Sequence, residues 1–475
     1  MELESKRAAP KSGIQSQKAG LYVKTFGCQM NEYDSEKVLT LLADSHRAVE
    51  NPADAELVFV NTCSVREKGE HKLFSLLGSL RELKAAKPGL VIGVGGCVAQ
   101  QEGLRILTRN SAVDFVVGTH NLSLIPSLVH SVREGRGPQV AVDYREDWEQ
   151  LPEAEFLEGG RRTHPVRALI AIQRGCNKRC SFCVVPQTRG SEVSRDPKEI
   201  LREAALKVRM GGRELLLLGQ TVNSFGRDLV PRYPFERLIR ELAALPGVKR
   251  IRFTSPHPAE VRPDFLDLYA DVPQLCPHIH LPLQSGSDRI LKLMNRNYRT
   301  KRYLEIVSAV RARCPQIAVT SDLIVGFPTE TEADFELTLE LLRRVKFSTV
   351  YSFQYSRRPN TEAISAFTAQ DEVPAEVARE RLLKLQFLQD ALSRDYNQSR
   401  VGSLVQVLVE GPHQRLSSNL YGRIPQNTPI ELSGGSAPPG DLVLARVEHA
   451  TPHGLRGTIA RNLTQAASET LSNQM

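Results

Sequence analysis

The 475-residue sequence contains no run of 18 or more apolar residues, and its first twenty residues, MELESKRAAPKSGIQSQKAG, are charged and polar. A membrane-spanning helix needs about 20 apolar residues, and a secretory signal needs an apolar core. These absences predict a cytoplasmic protein with no membrane partner. Cysteine is also scarce, at eight residues. Because the cytosol is reducing, disulfides are not expected, which leaves metal binding, redox chemistry or simple burial.

The composition bounds the architecture and the class of partner. With 41% apolar residues, a chain of this length can bury two or three separate cores, so a multidomain globular protein is expected. The net charge of +8 and the pI of about 9.0 are compatible with a polyanionic partner such as RNA. Charge alone does not identify that partner, because many basic proteins bind no RNA.

The first third of the chain has an α/β pattern. Over residues 21–137, short β-rich runs are each followed by a helical pattern, which predicts an open parallel α/β domain. The acidic stretch at 138–161 has little apolar periodicity and is interpreted as a linker. Residues 1–20 and 463–475 are predicted to be disordered tails.

The rest of the chain predicts two further domains. Six strand-like runs alternate with amphipathic helical stretches over 162–395, which predicts a partial (β/α)6 barrel with its site at the carboxyl ends of the strands. Its last helix is expected in AEVARERLLKLQFLQDALSRDYNQ. Short strand-like runs over 397–462, separated by Gly, Pro, Asn and Ser, predict a small antiparallel β-barrel.

Cys176, Cys180 and Cys183 lie on one loop, RGCNKRCSFCVVPQTRG, directly after the first barrel strand. Three soft thiolates on a short loop can bind three irons of a 4Fe-4S cluster and leave one iron open for a ligand. A zinc knuckle is the alternative, but structural zinc needs four ligands, and His164 is the nearby histidine before the strand. We therefore predict an iron-sulfur cluster on this loop.

Cys28, Cys63 and Cys97 are far apart in the sequence but similarly placed, each after a strand and before a helix. Parallel strands would bring all three to one sheet edge, where helix N-termini favour thiolates. A single cysteine at such a position is better explained by packing, but three equivalent placements favour a second metal site. Cys276 and Cys314 lack such company and are interpreted as packing residues.

Polar residues at the strand ends of the predicted barrel are candidates for cofactor contact. The alternative for each is a loop-capping or turn role. Arg189, just past the cysteine loop, is a candidate partner for a carboxylate. The strand-end candidates are Gln220 and Asn223 after the second strand, Ser255 and His257 after the third, Gln284 and Ser285 after the fourth, and Gly326 after the fifth.

A basic segment provides the candidate RNA contacts. Four cations surround a tyrosine in it, as phosphate contacts and base stacking would require. A solvated helix start is the alternative. The residues are Arg296, Tyr298, Arg299, Lys301 and Arg302.

The motifs together resemble a known family. CNKRCSFC is similar to the C-x-x-x-C-x-x-C signature of radical S-adenosylmethionine enzymes. With GCQMNEYDSE, NTCSVREK, GCVAQQEG, VVPQTRGSEVSR, LLGQTVNSFG, HLPLQSGSDRIL and SDLIVGFPTET, the chain resembles the methylthiotransferases of that superfamily, and most closely their tRNA-modifying branch. The resemblance runs from Leu21 to about Asn462 and implies a methylthiotransferase N-terminal domain, a radical core and a C-terminal TRAM domain.

The resemblance also implies a reaction. Cys176, Cys180 and Cys183 would hold the radical 4Fe-4S cluster, which binds S-adenosylmethionine and yields a 5′-deoxyadenosyl radical that removes hydrogen from carbon 2 of an adenine. Cys28, Cys63 and Cys97 would hold an auxiliary 4Fe-4S cluster that carries the sulfur, methylated by a second S-adenosylmethionine. The expected substrate is N(6)-dimethylallyladenosine at tRNA position 37, in the anticodon stem-loop. A flavodoxin or ferredoxin would supply electrons, and a monomer is expected.

Two other functions compete with this one. A methylthiotransferase could act on a ribosomal-protein aspartate, although GCQMNEYDSE resembles the tRNA branch more closely. A non-enzymatic iron-sulfur or zinc protein that binds RNA is the second alternative, but it leaves a barrel suited to S-adenosylmethionine without a purpose.

Overall fold

The computed structural model of the chain describes residues 18–64, 67–149, 151–152, 166–413 and 418–466. The predicted disordered tails lie outside these ranges, except that residues 18–20 and 463–466 are described, and residues 19–20 begin the first strand. Among the described helices, none is both long enough and apolar enough to cross a membrane.

A six-stranded parallel sheet forms the N-terminal domain. The strand order is β2-β1-β3-β4-β5-β6. β3 is buried at every position, and its first four residues, LVFV, are apolar, as expected for a strand covered on both faces. The strands are β1 (Ala19–Thr25), β2 (His46–Ala48), β3 (Leu57–Thr62), β4 (Val91–Gly96), β5 (Phe115–Val117) and β6 (Gln139–Ala141).

Helices cover both faces of this sheet, so the predicted open α/β domain is confirmed. One core joins the sheet to α2, α3 and α4, and the other joins it to α1 and α5. β2 and β6 were not predicted because their sequences, HRA and QVA, form no apolar run, unlike the equally short β5, FVV. The helices are α1 (Gln29–Leu41), α2 (Glu67–Ala86), α3 (Cys97–Glu102), α4 (Leu104–Arg109) and α5 (Ile125–Arg133).

The described part of the predicted linker, 138–149 and 151–152, packs against the domains on either side. It begins with β6, which pairs with β5. Trp148 joins an interdomain apolar cluster, and the Glu149 carboxylate accepts a hydrogen bond from the Ser123 amide at 2.8 Å. The acidic composition concealed this role because Glu149 is bound to backbone amides instead of water.

The central domain has the six barrel strands that the sequence predicts. They form two parallel three-stranded halves, β7-β10-β11 and β12-β13-β14, which are linked by an isolated parallel bridge between Ile251 and Leu275. A short antiparallel ribbon, β8-β9, follows the first strand. The strands are β7 (Arg167–Ala171), β8 (Gln173–Arg174), β9 (Val193–Ser194), β10 (Glu214–Leu218), β11 (Arg250–Phe253), β12 (His278–His280), β13 (Ala318–Val325) and β14 (Thr349–Gln354).

Helices pack on the outer face of this partial barrel around the largest apolar core. α7 begins at an Asp196 cap with Pro197 in its first turn, and α12 begins at a capping box of Thr331 and Asp334. The helices are α6 (Val185–Arg189), α7 (Pro197–Arg209), α8 (Phe235–Ala243), α9 (Pro263–Asp271), α10 (Asp288–Leu293), α11 (Thr300–Arg313), α12 (Glu332–Val345), α13 (Glu362–Ala366) and α14 (Ala375–Gln398).

A closed five-stranded barrel ends the chain, in the order β15-β16-β17-β19-β18. Its pairings are antiparallel except for β17 with β19, which is parallel. β16 was not predicted because its four residues, LYGR, show no alternation. The strands are β15 (Leu404–Pro412), β16 (Leu420–Arg423), β17 (Pro429–Ser433), β18 (Leu442–Thr451) and β19 (Gly454–Asn462).

Candidate functional site

The loop that carries Cys176, Cys180 and Cys183 is closed at its base by the β8-β9 ribbon. Gly175 leaves this ribbon with φ +72°, and a Cβ there would lie 1.9 Å from the Ser191 carbonyl oxygen. A glycine is therefore required, because any side chain would collide with the returning strand. The Cys176 amide then donates to the Gly190 carbonyl at 3.1 Å, which holds the two ends of the loop together.

Cys176 and Cys180 each have a polar or charged neighbour, and the pKa of the Cys183 thiol is raised. The Cys176 sulfur lies 3.4 Å from the hydroxyl of Thr221, in the loop that follows β10. The Cys180 sulfur accepts a hydrogen bond from Arg296 Nη1 at 3.2 Å. Burial and the adjacent Cys180 raise the pKa of the Cys183 thiol to about 12. A metal that binds these sulfurs would have to displace their protons.

The basic segment at 296–302 is divided between the protein interior and its surface. Arg296 and Tyr298 are buried, and the Tyr298 hydroxyl donates to the Leu283 carbonyl at 2.8 Å. The structure therefore does not support RNA contact for these two residues, because both side chains are buried beside the cysteine loop and hydrogen-bonded there. Arg299, Lys301 and Arg302 are exposed at the start of α11.

Cys28, Cys63 and Cys97 meet at the carboxyl edge of the N-terminal sheet. Cys28 caps α1, Cys63 follows β3, and Cys97 begins α3 directly after β4. Cys28 is exposed. A hydrogen bond from Cys63 lowers the pKa of Cys28 to about 6, and the charge of Arg189 lowers it further. Burial raises the pKa of Cys97, an effect that Arg189 partly offsets.

Arg189 connects the two cysteine sets. It ends α6, just past the first cysteine loop, and its Nη2 lies 2.8 Å from the Asp34 carboxylate of α1, with both side chains at most 10% exposed. Its charge also lowers the pKa of the Cys97 thiol, against the rise that burial causes. Burial raises the pKa of Asp34, and Arg189 counteracts part of that rise. The carboxylate partner anticipated for Arg189 thus comes from the other domain.

Thr119 and His120, which were not predicted from the sequence, also line this junction. The Thr119 hydroxyl donates to the Thr188 carbonyl at 2.5 Å. The His120 ring packs edge-on against Tyr144, and burial, with the charge of Arg174, lowers the pKa of His120 to about 4. Their position directly after β5 was the signal that could have found them.

Two strand-end candidates bind each other. The Asn223 amide donates to the His257 carbonyl at 3.1 Å, and the His257 backbone amide donates back to Asn223 Oδ1 at 2.8 Å. Burial, with the charge of Arg296, lowers the pKa of His257 to about 2, so this imidazole is neutral at physiological pH. Ser255, two residues before His257, has φ +45°, and Gln220 is partly buried.

The remaining candidates have structural partners. Gln284 adopts φ +75°, and its backbone amide donates to the backbone carbonyl of Asp322 at 2.9 Å. Ser285 is fully buried, and the Gly326 amide donates to the Glu330 carboxylate at 2.8 Å. These contacts shape the loops above β12 and β13. Cys276 and Cys314 are buried away from both cysteine sets, as packing residues would be; His164 lies outside the described residues.

The donor chemistry of each cysteine set fits an iron-sulfur cluster, because each supplies three soft thiols at adjoining positions. In the ranges that the structure describes, no three Cys, His, Asp or Glu side chains already stand in the geometry of a bound metal ion. Cluster binding would therefore draw the thiols together, so that metal binding and local folding are coupled.

Three families match successive parts of the chain. Residues 20–118 match "Uncharacterized protein family UPF0004", residues 170–342 match the "Radical SAM superfamily", and residues 398–460 match the "TRAM domain". The two cysteine sets thus fall in different families, one in each of the first two.

Curated relatives extend over nearly the whole chain. A protein of Geobacter metallireducens named tRNA-2-methylthio-N(6)-dimethylallyladenosine synthase is 44% identical over 93% of this chain and 98% of the relative. Proteins with the same name from Syntrophobacter fumaroxidans and Burkholderia thailandensis are 44% and 42% identical, over 92% and 95% of this chain and 95% and 99% of the relatives.

Solved structures share the fold at low identity. The radical S-adenosylmethionine methyltransferase TsrM from Kitasatospora setae superposes with a TM-score of 0.54 at 15% identity, over 70% of this chain and 72% of that chain. The cobalamin-dependent S-adenosylmethionine radical enzyme OxsB superposes with a TM-score of 0.52 at 12% identity, over 78% of this chain and 56% of that chain.

Proposed function

We propose that this chain, which belongs to the tRNA-2-methylthio-N(6)-dimethylallyladenosine synthase family, adds a methylthio group to carbon 2 of N(6)-dimethylallyladenosine at position 37 of tRNA, beside the anticodon. It is a radical S-adenosylmethionine enzyme of the sulfur-transferring class. The aspartate-modifying and non-enzymatic alternatives are not favoured, because the relatives that cover almost the whole chain are named for the tRNA reaction.

The observation that supports this proposal most strongly is the meeting of the two cysteine sets at Arg189. Its guanidinium pairs with Asp34 of α1, the helix that follows Cys28, and its charge acts on the Cys97 thiol. Arg189 itself ends α6, the helix that follows the first cysteine loop. A reaction that makes a radical at one site and delivers sulfur from another needs the two sites to be adjacent.

We assign the radical 4Fe-4S cluster to Cys176, Cys180 and Cys183 and the auxiliary one to Cys28, Cys63 and Cys97. With both clusters and S-adenosylmethionine bound, these sites would supply the radical that takes hydrogen from carbon 2 and the sulfur that replaces that hydrogen. The protein positions these groups. Arg296 orients the Cys180 sulfur, and the division at 21–137, 162–395 and 397–462 keeps each cluster in its own domain.

We assign binding of the cofactor S-adenosylmethionine to the strand-end loops beside the first cluster. Gly326 and Ser285 shape the loop backbones that face the cofactor, and their bonded or buried state suits a supporting role. The assigned residues are Gln220, Asn223, Ser255, Gln284, Ser285 and Gly326.

The RNA contacts of this proposal are the exposed cations at the start of α11, Arg299, Lys301 and Arg302, which can bind phosphates of the anticodon stem-loop. The C-terminal barrel, which matches the TRAM domain, would bind the same RNA. The family resemblance further supports a cytoplasmic monomer that receives its electrons from a flavodoxin or ferredoxin.

Anaerobic reconstitution tests the clusters. Two clusters predict about eight irons per chain, and replacement of Cys176, Cys180 and Cys183 by Ala should leave about four, as should the same replacement of Cys28, Cys63 and Cys97. Replacement of the packing residues Cys276 and Cys314 is the matched control and should leave about eight. Bound zinc, or an iron count that neither triple replacement changes, would contradict the assignment.

The substrate is tested in cells. Nucleosides from tRNA of a strain that lacks this protein should retain N(6)-dimethylallyladenosine and lose its 2-methylthio derivative, and the wild-type gene should restore the derivative. If the tRNA nucleosides are unchanged while a ribosomal-protein aspartate loses a methylthio group, the aspartate-modifying function replaces the one proposed.

A further inference from the structure

A polar cluster lines the inner face of the second half of the partial barrel. Alternate residues of β12 and β13, such as Ile279 and Leu323, face the outer core. The residues between them therefore face inward. Strand register sets His280 opposite Thr320 on β13, and Asp322 opposite Tyr351 on β14. We call His280, Thr320, Asp322 and Tyr351 the inner cluster.

The inner cluster is a connected set of contacts. His280 Nδ1 lies 3.0 Å from the Thr320 hydroxyl, and His280 Nε2 lies 3.2 Å from Asp322 Oδ2. The His280 ring packs edge-on against the Tyr351 ring at 5.8 Å. His280 thus contacts one carboxylate oxygen of Asp322, Oδ2. The other oxygen, Oδ1, is a second hydrogen-bond acceptor.

This half of the barrel interior is accessible, unlike the other half. Tyr351 is 48% exposed, and the Asp322 side chain is 30% exposed. In the first half, Met30 and Tyr33 of α1 pack over the inner face of β7 and β10. Tyr351 and Asp322 therefore leave accessible polar surface inside the barrel at β12 to β14.

The inner cluster lies close to the first cysteine loop. Arg296 donates to the Pro282 carbonyl through Nη2 and to the Cys180 sulfur through Nη1, both at 3.2 Å. His280 precedes Pro282 by two residues, which is about 7 Å along an extended chain. A ligand held by Asp322 and Tyr351 would consequently lie beneath the Cys180 side of that loop.

We propose that the inner cluster recognises the substrate base: Asp322 accepts a hydrogen bond from the exocyclic N(6)–H of the adenine, and the Tyr351 ring packs on the face of the base. This inference rests on the proposed function. An adenine with one substituent on N(6) keeps one N–H donor, and a carboxylate is a strong acceptor for it. Aromatic rings bind bases by stacking whatever the sequence.

His280 is a positioning residue in this arrangement, because it acts on the base through Asp322. The hydrogen bond from N(6) to the carboxylate restricts rotation of the adenine in its own plane. Stacking of the adenine ring on Tyr351 restricts its tilt out of that plane. Carbon 2, on the same six-membered ring, is then held at a defined position relative to the cysteine loop. Such positioning is the part of the chemistry that the protein supplies.

Binding of two RNA ligands to the reconstituted holoenzyme, without reductant, tests this inference. Both are anticodon stem-loops; one carries N(6)-dimethylallyladenosine and the other its N(6)-methylated form, which has no N–H. Fluorescence anisotropy should show that the wild type prefers the first by about tenfold or more. Asp322→Leu should reduce this preference towards onefold, and Asp322→Asn, which keeps the side-chain shape, should reduce it partly. Tyr351→Leu should weaken the binding of both stem-loops by the same factor, about fivefold or more.

Phe387→Leu is the matched control, because Phe387 is 81% exposed on α14, outside the inner cluster, and its affinities should match the wild type. Iron content and melting temperature confirm that each variant is folded. If folded Asp322→Leu and Asp322→Asn keep the wild-type preference, the inference is wrong and the proposed function stands. If the wild type, given reductant, forms no methylthio product on the first stem-loop, the proposed function fails, and the inference fails with it.

Discussion

At the scale of single residues, the most consequential side chain is Arg189. A buried guanidinium has to be balanced by negative charge, and here the balance comes from Asp34, with the Cys28 and Cys97 thiols nearby. All three belong to the N-terminal domain, whereas Arg189 belongs to the barrel. The charge balance of the proposed auxiliary site therefore depends on a residue that another domain supplies.

Replacement of Arg189 by Leu should destabilise the protein and weaken the second cysteine set. Asp34 would be left buried without its ion-pair partner, at a cost of about 3 kcal/mol or more in the free energy of unfolding. The thiolates would lose their balancing charge, so iron per reconstituted chain should fall from about eight towards about four. Urea unfolding and iron analysis measure the two effects.

Arg240→Ala is the control for this prediction. Arg240 pairs with Asp271 at 2.7 Å, but both side chains are 48% exposed, so its loss should change the unfolding free energy by less than about 1 kcal/mol. Equal stability and equal iron content in Arg189→Leu and Arg240→Ala would show that Arg189 has no such role.

At the scale of elements, the β8-β9 ribbon determines where the first cysteine loop lies. Two residue pairs, Gln173 with Ser194 and Arg174 with Val193, close the ribbon. The loop between them carries three cysteines and α6, and its base is narrow enough that a Cβ at Gly175 would strike Ser191. Because the ribbon has only two residue pairs, the close approach of the Gly175 and Ser191 backbones is needed to keep the base of the loop closed.

Gly175→Ala should open the base of the loop. The new Cβ meets backbone, which cannot rotate away, and the φ of +72° adds strain of about 1 kcal/mol or more. The reconstituted variant should lose iron of the first set while keeping that of the second. Iron content measured in Gly175→Ala that also lacks Cys28, Cys63 and Cys97 should approach zero.

Gly135→Ala provides the comparison. Gly135 has φ +76°, but a Cβ there meets nothing within 4 Å, so it isolates the backbone strain from the collision. This variant should keep the full iron content and lose about 1 kcal/mol of stability. Identical iron loss in both glycine variants would refute the role given to the ribbon base.

At the scale of the whole molecule, a buried charge network joins the N-terminal domain to the barrel. Glu203 of α7 pairs with Lys37 of α1 at 3.1 Å, with Lys207 at 3.3 Å and with Arg195. The Tyr33 hydroxyl of α1 donates to Glu203 at 3.2 Å. Burial alone would raise the pKa of Glu203, but the charges of Lys207, Lys37 and Arg195 hold it well below its usual range.

The sign of the pH dependence follows from this lowered pKa. The stabilisation is fully present above the unfolded-state pKa of about 4.3 and is lost as the pH falls below it towards the folded-state pKa. Glu203→Gln should therefore be less stable at pH 7, by about 3 to 5 kcal/mol, and should lose less stability than the wild type between pH 4.3 and pH 3. Melting temperatures across this range test the prediction.

Asp271→Asn, at the exposed pair with Arg240, is the control and should follow the wild-type pH profile. A Glu203→Gln profile parallel to the wild type would mean that Glu203 does not carry the acid sensitivity of the domain junction.

The sequence by itself determined the parts that depend on local order along the chain. Cys176, Cys180 and Cys183 share one loop, so their joint placement needs no knowledge of the fold. α14 was predicted with its observed bounds, because a helical period over 24 residues is a strong local signal. Cys28, Cys63 and Cys97 required one further rule, that parallel strands end at the same edge.

Only the tertiary structure decided which side chains meet across domains. Arg296 and Tyr298 read as an RNA-binding surface because a basic segment usually faces water, yet the fold buries both beside Cys180. Asp34 and Arg189, 155 positions apart, form a pair that no local pattern encodes. His280, Asp322 and Tyr351 come together because strand register aligns them. Such contacts depend on how separate elements pack, and packing is a property of the whole chain.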